Sequence, residues 1–449
     1  MPGVTVTETL ASPGRIAVIG SGVAGLTAAY ALSTQHRVTV FESDDRLGGH
    51  AHTHRLPTSD GEEVAVDSGF IVHNDRTYPT LLRLFDELDI ATQPTDMSMS
   101  VRSELMGLEY AGALGVSGLF PTWRNATRGR YLLMLGEIKR FHRLARRVLD
   151  TPGDDEPLGA FVERARLSTY FRDNFLLPLV AAVWSCDATT AADYPARYLF
   201  TFLDHHGMLS VYGSPAWRTV TGGSATYVRA VADTVVARGG EIRTAAPVAD
   251  VTENADGVVV TAAGVAEVFD GAVVATHPHQ ALALLGAPSA LQREVLGAID
   301  YAPKPAVLHT DESLLPVAER ARAAWNYQIR ADGSEVAVSY DLTRLMRLPH
   351  HPGQPRYLVT MGRTDLVDPS TVLAEMTYEH PVYDTRSVAA QQRLPEIATG
   401  RIAFAGAYHG WGFHEDGAAS GARAATHFGS TWPAVQATAS ARQRAEVPR

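Results

Sequence analysis

The feature that most constrains the fold of this chain is a strand–turn–helix–strand pattern near its N-terminus. Residues 15–19 have the sequence RIAVI, a short apolar run that predicts a buried strand, and GSGVAG follows at 20–25. LTAAYALS continues as a helix, and RVTVFE at 37–42 predicts a second strand that ends in an acid. This unit is typical of a doubly wound parallel sheet, so we predict an α/β fold with a Rossmann-type domain.

The turn of this unit contains three glycines spaced as GxGxxG, namely Gly20, Gly22 and Gly25. The first permits a tight turn, the second lets the backbone approach a pyrophosphate, and the third lets helix and strand pack closely. The pyrophosphate would lie at the helix N-terminus, where free N–H groups and the helix dipole favour anions. Glu42 ends the next strand, where a carboxylate accepts hydrogen bonds from ribose hydroxyls. The pattern therefore predicts a dinucleotide site.

Composition argues against several other classes of protein. The chain has 449 residues and a formal net charge of −10, and a nucleic-acid-binding surface would need a basic balance. Cys186 is the only cysteine, which excludes an intrachain disulfide and a cysteine-based zinc site. No apolar run reaches about 18 residues, and the N-terminus lacks the pattern of a signal peptide. We therefore expect a cytoplasmic protein without a membrane-spanning helix.

The residues after Glu42 indicate which dinucleotide is bound. SDDRLGG gives Glu-x3-Arg-x-Gly-Gly, with Arg46, Gly48 and Gly49, and this continuation resembles the flavin-containing amine oxidase and phytoene desaturase superfamily. Segments further along resemble the same superfamily in the expected order: VTGGSATYVRAVA at 220–232, PVADV at 247–251, VVATHPHQALALL at 273–285 and DGAASG at 416–421. AWNYQI, YEHP and AGAYHGWGFHEDG resemble a bacterial subgroup of predicted NAD/FAD-binding oxidoreductases.

The resemblance implies FAD as the cofactor and a discontinuous FAD-binding domain with an inserted α+β substrate domain, as in amine oxidases. The expected parts are a disordered tail at 1–14, the FAD-binding domain at 15–75, 215–280 and 395–430, the substrate domain at 76–214 and 281–394, and a C-terminal tail at 431–449. The residues implied to contact FAD are Gly20, Gly22, Val23, Ala24, Gly25, Glu42, Ser43, Arg46, Gly48, Gly49, His50, Gly69, Phe70, Val248, Ala275, Gly406, Ala407, Asp416, Gly417 and Ala418.

One position departs from the superfamily pattern. An acid usually follows the Ala-Gly of the last strand, whereas here Gly406 is followed by Ala407. FAD binding at that point would rely on backbone N–H groups, or on Glu415 and Asp416 nearby.

Four residues are candidates for the chemistry. In many amine oxidases a lysine at the start of a strand like that of Lys304 holds a water against flavin N5; the alternative is a surface lysine between two prolines. The resemblance implies that Tyr408, Trp411 and Phe413 form an aromatic wall beside the flavin, where they would stack on a substrate or exclude water. Core packing is the alternative for Trp411 or Phe413.

Histidines cluster at positions 50, 52 and 54, and on a strand this spacing would place three imidazoles on one face. A metal site is one interpretation, but no carboxylate or cysteine completes the set nearby, so we expect no metal. The alternative is a loop along the flavin. Other polar residues that could line a substrate cavity, or equally serve as caps, are His73, Asn74, His205, His206 and His309.

Residues 119–149 carry eight basic side chains and one acid. Ile138, Phe141, Leu144 and Val148 recur at helical spacing, which predicts an amphipathic helix. Such a basic helix could make peripheral contact with an anionic membrane or steer an anionic lipid. The alternative is a substrate-domain helix with a solvated basic face.

These observations lead to one functional hypothesis and three alternatives. We expect an FAD-dependent oxidoreductase of the desaturase or dehydrogenase type, which moves hydride from a C–H bond of a small, hydrophobic, lipid-like molecule to flavin N5. The alternatives are a flavin amine oxidase that acts on a C–N bond and is reoxidised by oxygen, a flavin-dependent isomerase with no net redox change, and a non-catalytic FAD-binding protein.

Overall fold

The computed structural model describes residues 13–58, 61–184, 188–210, 213–331, 336–351 and 354–432. Most of the two expected tails, at 1–14 and 431–449, and Cys186 lie outside these residues. Within the described segments no helix is long and apolar enough to cross a membrane.

Runs of strands and runs of helices follow one another along the chain. The strands are Arg15–Ile19 (β1), Arg37–Phe41 (β2), Thr53–Pro57 (β3), Glu63–Asp67 (β4), His73–Asn74 (β5), Thr92–Pro94 (β6), Met99–Ser103 (β7), Leu108–Tyr110 (β8), Trp217–Val220 (β9), Glu241–Arg243 (β10), Val248–Glu253 (β11), Val258–Ala262 (β12), Val265–Phe269 (β13), Gly271–Val274 (β14), Tyr301–His309 (β15), Trp325–Ile329 (β16), Ala337–Asp341 (β17), Leu358–Gly362 (β18), Val372–Pro381 (β19) and Ile402–Phe404 (β20). The α-helices are Val23–Leu32 (α1), Pro79–Glu87 (α2), Gly115–Leu119 (α3), Trp123–Ala126 (α4), Gly129–Asp150 (α5), Leu158–Arg164 (α6), Thr169–Phe171 (α7), Leu177–Trp184 (α8), Ala188–Asp193 (α9), Ala196–His205 (α10), Ala225–Ala237 (α11), Pro278–Leu284 (α12), Ala290–Leu296 (α13), Leu342–Leu345 (α14), Thr385–Arg393 (α15) and His414–His427 (α16).

A five-stranded parallel sheet forms the centre of the first domain, in the order β10-β2-β1-β14-β20. If these five strands are numbered 1 to 5 in chain order, their order in the sheet is 3-2-1-4-5. This matches the first five strands of the Rossmann order 3-2-1-4-5-6. The sheet draws its strands from the three segments expected for the FAD-binding domain. Helices and a three-stranded sheet (β11-β12-β13) cover its two faces, so side chains such as Val18 and Val273 are fully buried.

Small residues let α16 lie against α1. All ten residues of α1 are buried. A Cβ atom on Gly421 would lie 2.1 Å from the Ala24 carbonyl oxygen, and one on Gly417 would lie 2.6 Å from Val23. The glycines of the DGAASG segment are therefore required for close helix packing.

The second domain contains a seven-stranded sheet in the order β19-β15-β18-β17-β16-β7-β8. Its pairs are antiparallel except for β16 with β7. Side chains of this sheet, such as Leu308, share one core with Phe141 of α5, Val180 of α8 and Phe200 of α10. The amphipathic helix expected within 119–149 is α5, and its apolar face packs on this core.

The packing places some segments in a different domain from the one expected. Leu81 and Phe85 of α2 belong to a core cluster of the first domain, although 76–214 is the segment expected for the second. Val295 of α13 and Leu394 likewise pack with the first domain. Composition gave no sign of this, because an amphipathic helix buries its apolar face equally well against either domain.

Candidate cofactor and substrate cavity

A cavity of about 970 Å³ begins where β1 and β14 end, at the point where the strand order reverses. Gly20 follows β1 and Ala275 follows β14, and both line the cavity. Trp325 and Tyr340 of the seven-stranded sheet line it as well. The cavity therefore lies at the switch point at which parallel sheets bind ligands, and it extends to the second domain.

The glycine turn has the two features that close approach of a pyrophosphate requires. A Cβ atom on Gly22 would meet nothing within 4 Å, so this residue leaves open space on the cavity side. A Cβ atom on Gly25 would lie 1.9 Å from the Gly20 carbonyl oxygen, which makes Gly25 a packing residue. Gly20 itself has φ +98°, a conformation that favours glycine.

Two side chains supply opposite charges at this end of the cavity. The buried Glu42 carboxylate accepts hydrogen bonds from the backbone N–H groups of Ser21 (2.8 Å) and Asp44 (3.0 Å), which hold it in place. Arg46 also lines the cavity, and its buried Nη1 has no hydrogen-bond partner in the described part of the chain. A fixed acceptor, an unpartnered cation and the open backbone at Gly22 fit the ribose and pyrophosphate of FAD.

Most of the residues implied to contact FAD lie in the cavity wall. Those that line it are Gly20, Gly22, Val23, Ala24, Glu42, Ser43, Arg46, Gly49, His50, Gly69, Phe70, Val248, Ala275, Gly406 and Ala407. Gly25, Gly48, Asp416, Gly417 and Ala418 are not among the described lining residues. Gly48 has φ +110° and donates its N–H to the Ser21 carbonyl oxygen, so it shapes the turn.

The three residues from α16 are a correction. This helix begins at His414, two residues before the DGAASG segment, so Phe413 and His414 line the cavity in place of Asp416, Gly417 and Ala418. The Asp416 carboxylate accepts the Phe413 N–H (2.8 Å) and caps the helix, and Ala418 is fully buried. Burial raises the pKa of Asp416 to about 7.

Glu415 also has a structural role. Its carboxylate accepts the N–H groups of Thr80 and Leu81, each at 2.9 Å, and so caps the N-terminus of α2. Burial raises its pKa to about 7. Neither Glu415 nor Asp416 therefore takes the place of the acid that usually stands at the position of Ala407. Contact with FAD at that point would rely on backbone N–H groups.

Two of the three predicted aromatic wall residues line the cavity. Trp411 and Phe413 do so, and Phe413 stacks on Phe202 with ring centroids 5.0 Å apart. The prediction for Tyr408 is wrong, because its ring is fully buried in the first-domain core. A turn at Ala407–His409 directs this ring back beneath Gly406, where a Cβ atom would lie 2.2 Å from it.

Of the three histidines at positions 50, 52 and 54, His50 and His52 are described lining residues of the cavity and His54 is not. His50 lines the cavity beside Tyr378 and His380, with ring centroids 5.1 and 5.7 Å away. Burial, with His380 next in importance, holds the pKa of His50 well below its usual range. The rings of His52 and His54 lie 4.1 Å apart, and His54 bonds Ser68 Oγ (2.7 Å). Among the residues that the structure describes, no three His, Cys, Asp or Glu side chains are grouped so that they could hold a metal ion.

A His–Glu pair in the cavity wall was missed by the sequence analysis. His277 Nδ1 lies 2.6 Å from Glu379 Oε2, and both residues line the cavity. Burial lowers the pKa of His277 although Glu379 opposes the shift, so the imidazole is neutral near pH 7. A neutral ring beside a carboxylate places its proton on Nδ1 and leaves Nε2 as an acceptor. His277 could have been recognised from its position, because it stands just beyond the carboxyl end of β14, where parallel sheets bind ligands.

Lys304 lies beside the cavity wall and outside its described lining residues. It pairs with Tyr378 across β15 and β19, and directly paired residues project from the same sheet face. Tyr378 and the nearby His380 both line the cavity. Burial, and then the charge of Lys304, lower the pKa of His380 to about 4. The role of Lys304 at flavin N5 stays a prediction.

The far end of the cavity is apolar. Apolar lining residues that pack with the second-domain core form this end, among them Met97, Val183, Trp184, Phe202, Met208, Trp325, Tyr340, Met361, Met376, Trp411 and Phe413. Of the polar candidates only His206 is a described lining residue, and burial lowers its pKa to about 4. The carboxylates in the described lining are Glu42 and Asp44 at the glycine turn and Glu379, which is bonded to His277.

Comparison with known proteins agrees with this geometry. Residues 23–309 match the model of the flavin containing amine oxidoreductase family. The chain belongs to this family. The resemblance found in the sequence, the expected fold class and FAD as the cofactor are thereby confirmed, as is a flavin-dependent oxidoreductase at the level of the family.

The individual relatives are more distant. The chain is 27% identical over 236 residues to AofH of Mycobacterium tuberculosis, named as a flavin-containing monoamine oxidase, covering 50% of this chain and 48% of that protein. The chain thus spans about half the length of the curated relatives it matches. Cyclohexylamine oxidase from Brevibacterium oxydans shares the fold with a TM-score of 0.65 and 16% identity, over 93% of this chain and 98% of that one. The CLA-producing fatty acid isomerase from P. acnes also shares the fold, with a TM-score of 0.64 and 15% identity, over 92% of this chain and 97% of that one.

Proposed function

We propose that this protein is an FAD-dependent dehydrogenase that removes hydride from a C–H bond of a small hydrophobic substrate, of the desaturase type. The observation that carries this proposal is the apolar far end of the cavity. An ammonium substrate is usually balanced by a carboxylate, and Glu379, the described lining carboxylate outside the glycine turn, already bonds His277. The aromatic rings at this end would suit an apolar substrate or an ammonium group, and the experiment below separates the two. Bound FAD supplies a two-electron acceptor.

The residues of the far end would position the substrate and exclude water. Phe202 stacks on Phe413 and meets the edge of Trp411 with ring centroids 6.0 Å apart, so the aromatic wall is a packed unit. The buried indole nitrogens of Trp325 and Trp411 have no hydrogen-bond partner in the described segments. Both nitrogens are buried, so donation to a polar head of an otherwise apolar substrate, such as the carboxylate of a fatty acid, would require the indole to turn toward the cavity.

The His277–Glu379 pair would accept a proton from the substrate. Loss of hydride from one carbon and of a proton from its neighbour leaves a carbon–carbon double bond, and the proton needs an acceptor. Neutral His277 offers Nε2, and the Glu379 carboxylate at Nδ1 stabilises the imidazolium that forms. This role follows the general pattern in which a carboxylate orients and supports a histidine base.

An amine oxidase is the second candidate. Its support is the position of Lys304 on the sheet face that carries Tyr378 and His380, together with the amine oxidases among the similar proteins. An isomerase is the third possibility, supported by the likeness in fold to a fatty acid isomerase. These two reactions give different outcomes in one experiment.

The test mixes FAD-loaded protein anaerobically with fatty acids and with amines, and follows the flavin absorbance. We expect bleaching by fatty acids. Bleaching by amines alone would reject the proposal, and turnover of a fatty acid without bleaching or oxygen use would indicate the isomerase. Glu379→Gln should keep FAD and slow bleaching at least tenfold, or about 1.4 kcal/mol. Glu375→Gln, an exposed position on the same strand, is the matched control and should leave the rate unchanged.

A further inference from the structure

Large exposed apolar side chains concentrate in one part of the second domain. Of the eleven such residues in the described part of the chain, six lie between positions 105 and 133. These six, called the apolar corner below, are Leu105, Met106, Val116, Trp123, Leu132 and Leu133. Trp123 is 75% exposed and Leu133 is 61% exposed. Clustered apolar exposure of this kind marks an interaction surface more often than scattered single residues do.

Hydrogen bonds join the elements that carry the apolar corner. Arg128 at the start of α5 donates to the Met106 carbonyl oxygen (3.0 Å), which ties the β7–β8 turn to the helix. Asn125 of α4 donates to the carbonyl oxygens of Glu109 (2.8 Å) and Leu119 (3.2 Å), and the Tyr131 hydroxyl also donates to Leu119 (2.8 Å). The β7–β8 turn, α3, α4 and the first turns of α5 therefore form one connected surface.

A row of basic side chains continues from this corner along α5. Leu132, Lys139 and Arg143 are exposed and recur at helical spacing, so they lie on one face of the helix. Arg124 of α4 and Arg130 in the first turn of α5 are also exposed, close in sequence to the apolar corner but outside the helix face that carries Lys139. We call Lys139, Arg143 and Arg147 the basic row; all three are exposed and follow one face of α5.

The acids close to this surface are not free to cancel its charge. Glu137, the one acid of residues 119–149, is buried and accepts hydrogen bonds from the N–H and Oγ of Ser168. Glu104 and Glu109 of the β7–β8 hairpin lie within ion-pair distance of Arg102. The exposed charges of residues 119–149 are therefore basic, with the exposed Asp150 following at the last position of α5, on a chain whose formal net charge is −10.

We propose that the apolar corner and the basic row together dock the protein on an anionic lipid bilayer. Trp and Leu side chains would enter the interfacial region, and the arginines and lysine would contact lipid headgroups. A bilayer with anionic lipids is complementary to both parts at once. A second copy of the chain is not, because pairing this surface with itself would bring two basic rows together. The proposal does not depend on the reaction proposed above.

The experiment is co-sedimentation of the FAD-loaded protein with vesicles of phosphatidylcholine, with and without one quarter phosphatidylglycerol. We expect binding to the anionic vesicles that weakens as salt is added. Trp123→Ser combined with Leu133→Ser should lower the partition coefficient at least about tenfold. Val265→Ser is the matched control, since Val265 is also 61% exposed but lies on β13 of the first domain.

A second pair of variants tests the charge. Lys139→Glu combined with Arg143→Glu should lower binding to anionic vesicles at least about tenfold and leave the weak binding to neutral vesicles unchanged. Arg229→Glu, an exposed position on α11, is the control. Unchanged melting temperature and FAD content verify the fold of each variant. Absence of binding by the parent protein, or equal losses in variants and controls, would overturn the proposal, as would a parent dimer that the Trp123 variant dissociates without any vesicle binding.

Discussion

Replacing Gly22 with alanine should separate cofactor binding from folding. The residue has φ −61° and ψ 174°, an extended conformation that alanine adopts without strain, and the added Cβ would meet nothing within 4 Å. That space belongs to the cavity, at the helix N-terminus where the pyrophosphate of FAD should lie closest to the backbone. One methyl group therefore obstructs the cofactor and touches no protein atom.

Gly22→Ala should change the stability of the apoprotein much less than it changes the affinity for FAD. Replacing glycine with alanine at a compatible position stabilises a fold by about 0.4–1 kcal/mol, and losing a glycine N-cap costs a similar amount, so the apoprotein should change by less than about 1 kcal/mol. Affinity for FAD should fall at least tenfold, or about 1.4 kcal/mol, because the backbone can no longer approach the phosphates. Gly25→Ala is the contrasting control, since its Cβ would lie 1.9 Å from the Gly20 oxygen and should disrupt the fold itself.

The assay titrates apoprotein with FAD and follows the change in flavin fluorescence, with denaturant unfolding of the apoprotein measured in parallel. A Gly22→Ala protein that binds FAD as tightly as the parent would refute the placement of the pyrophosphate. A Gly22→Ala protein that loses several kcal/mol of stability would refute the claim that its Cβ faces open space.

Three further predictions concern other parts of the cavity and its supports. Trp411→Ala should leave FAD bound and slow anaerobic flavin reduction at least tenfold, about 1.4 kcal/mol; a large drop in melting temperature with unaltered reduction would make Trp411 a core residue. Lys304→Met should slow reoxidation of the flavin by oxygen more than it slows reduction of the flavin by substrate. Stopped-flow rates equal to those of the parent in both half-reactions would mean that Lys304 is a surface lysine without a role at the flavin. Burial raises the pKa of Asp416 from 3.8 to about 7, so this residue favours folding most below about pH 4, and its contribution is lost as pH rises to about 7. Relative to Asp416→Asn, the parent should therefore lose free energy of unfolding on the order of 4 kcal/mol over that range, as measured by denaturant titration; parallel pH profiles would contradict the shift.

The parts of the fold that were predictable are those with local causes. RIAVI, GSGVAG and RVTVF form β1, the turn into α1, and β2 with nearly the expected bounds, because an apolar run, a glycine turn and a helix boundary are each encoded by neighbouring residues. The roles of Gly22 and Gly25 follow from the same short segment. FAD, and the order of segments that bind it, came from the resemblance to a known superfamily.

What the sequence did not reveal depends on contacts between distant segments. His277 and Glu379 are 102 residues apart and meet only because β19 ends beside the switch point. Tyr408 stands in an aromatic segment of which two other rings line the cavity. The turn at Ala407–His409, just after β20, points the Tyr408 ring away from the cavity and into the core. Asp416 was expected to contact the cofactor because it stands in the first turn of a helix. An acid that caps a helix and a residue that faces a bound phosphate both occur at that place, so the sequence does not distinguish them.

The most direct test of the central claim compares amide hydrogen exchange in the apoprotein and in the FAD-loaded protein. The cavity predicts that FAD slows exchange in three separated segments, residues 20–26, 42–50 and 406–414, with little change at 123–133 on the apolar corner. Protection confined to other segments, or equal exchange with and without FAD throughout these three, would contradict the assignment of this cavity as the flavin site.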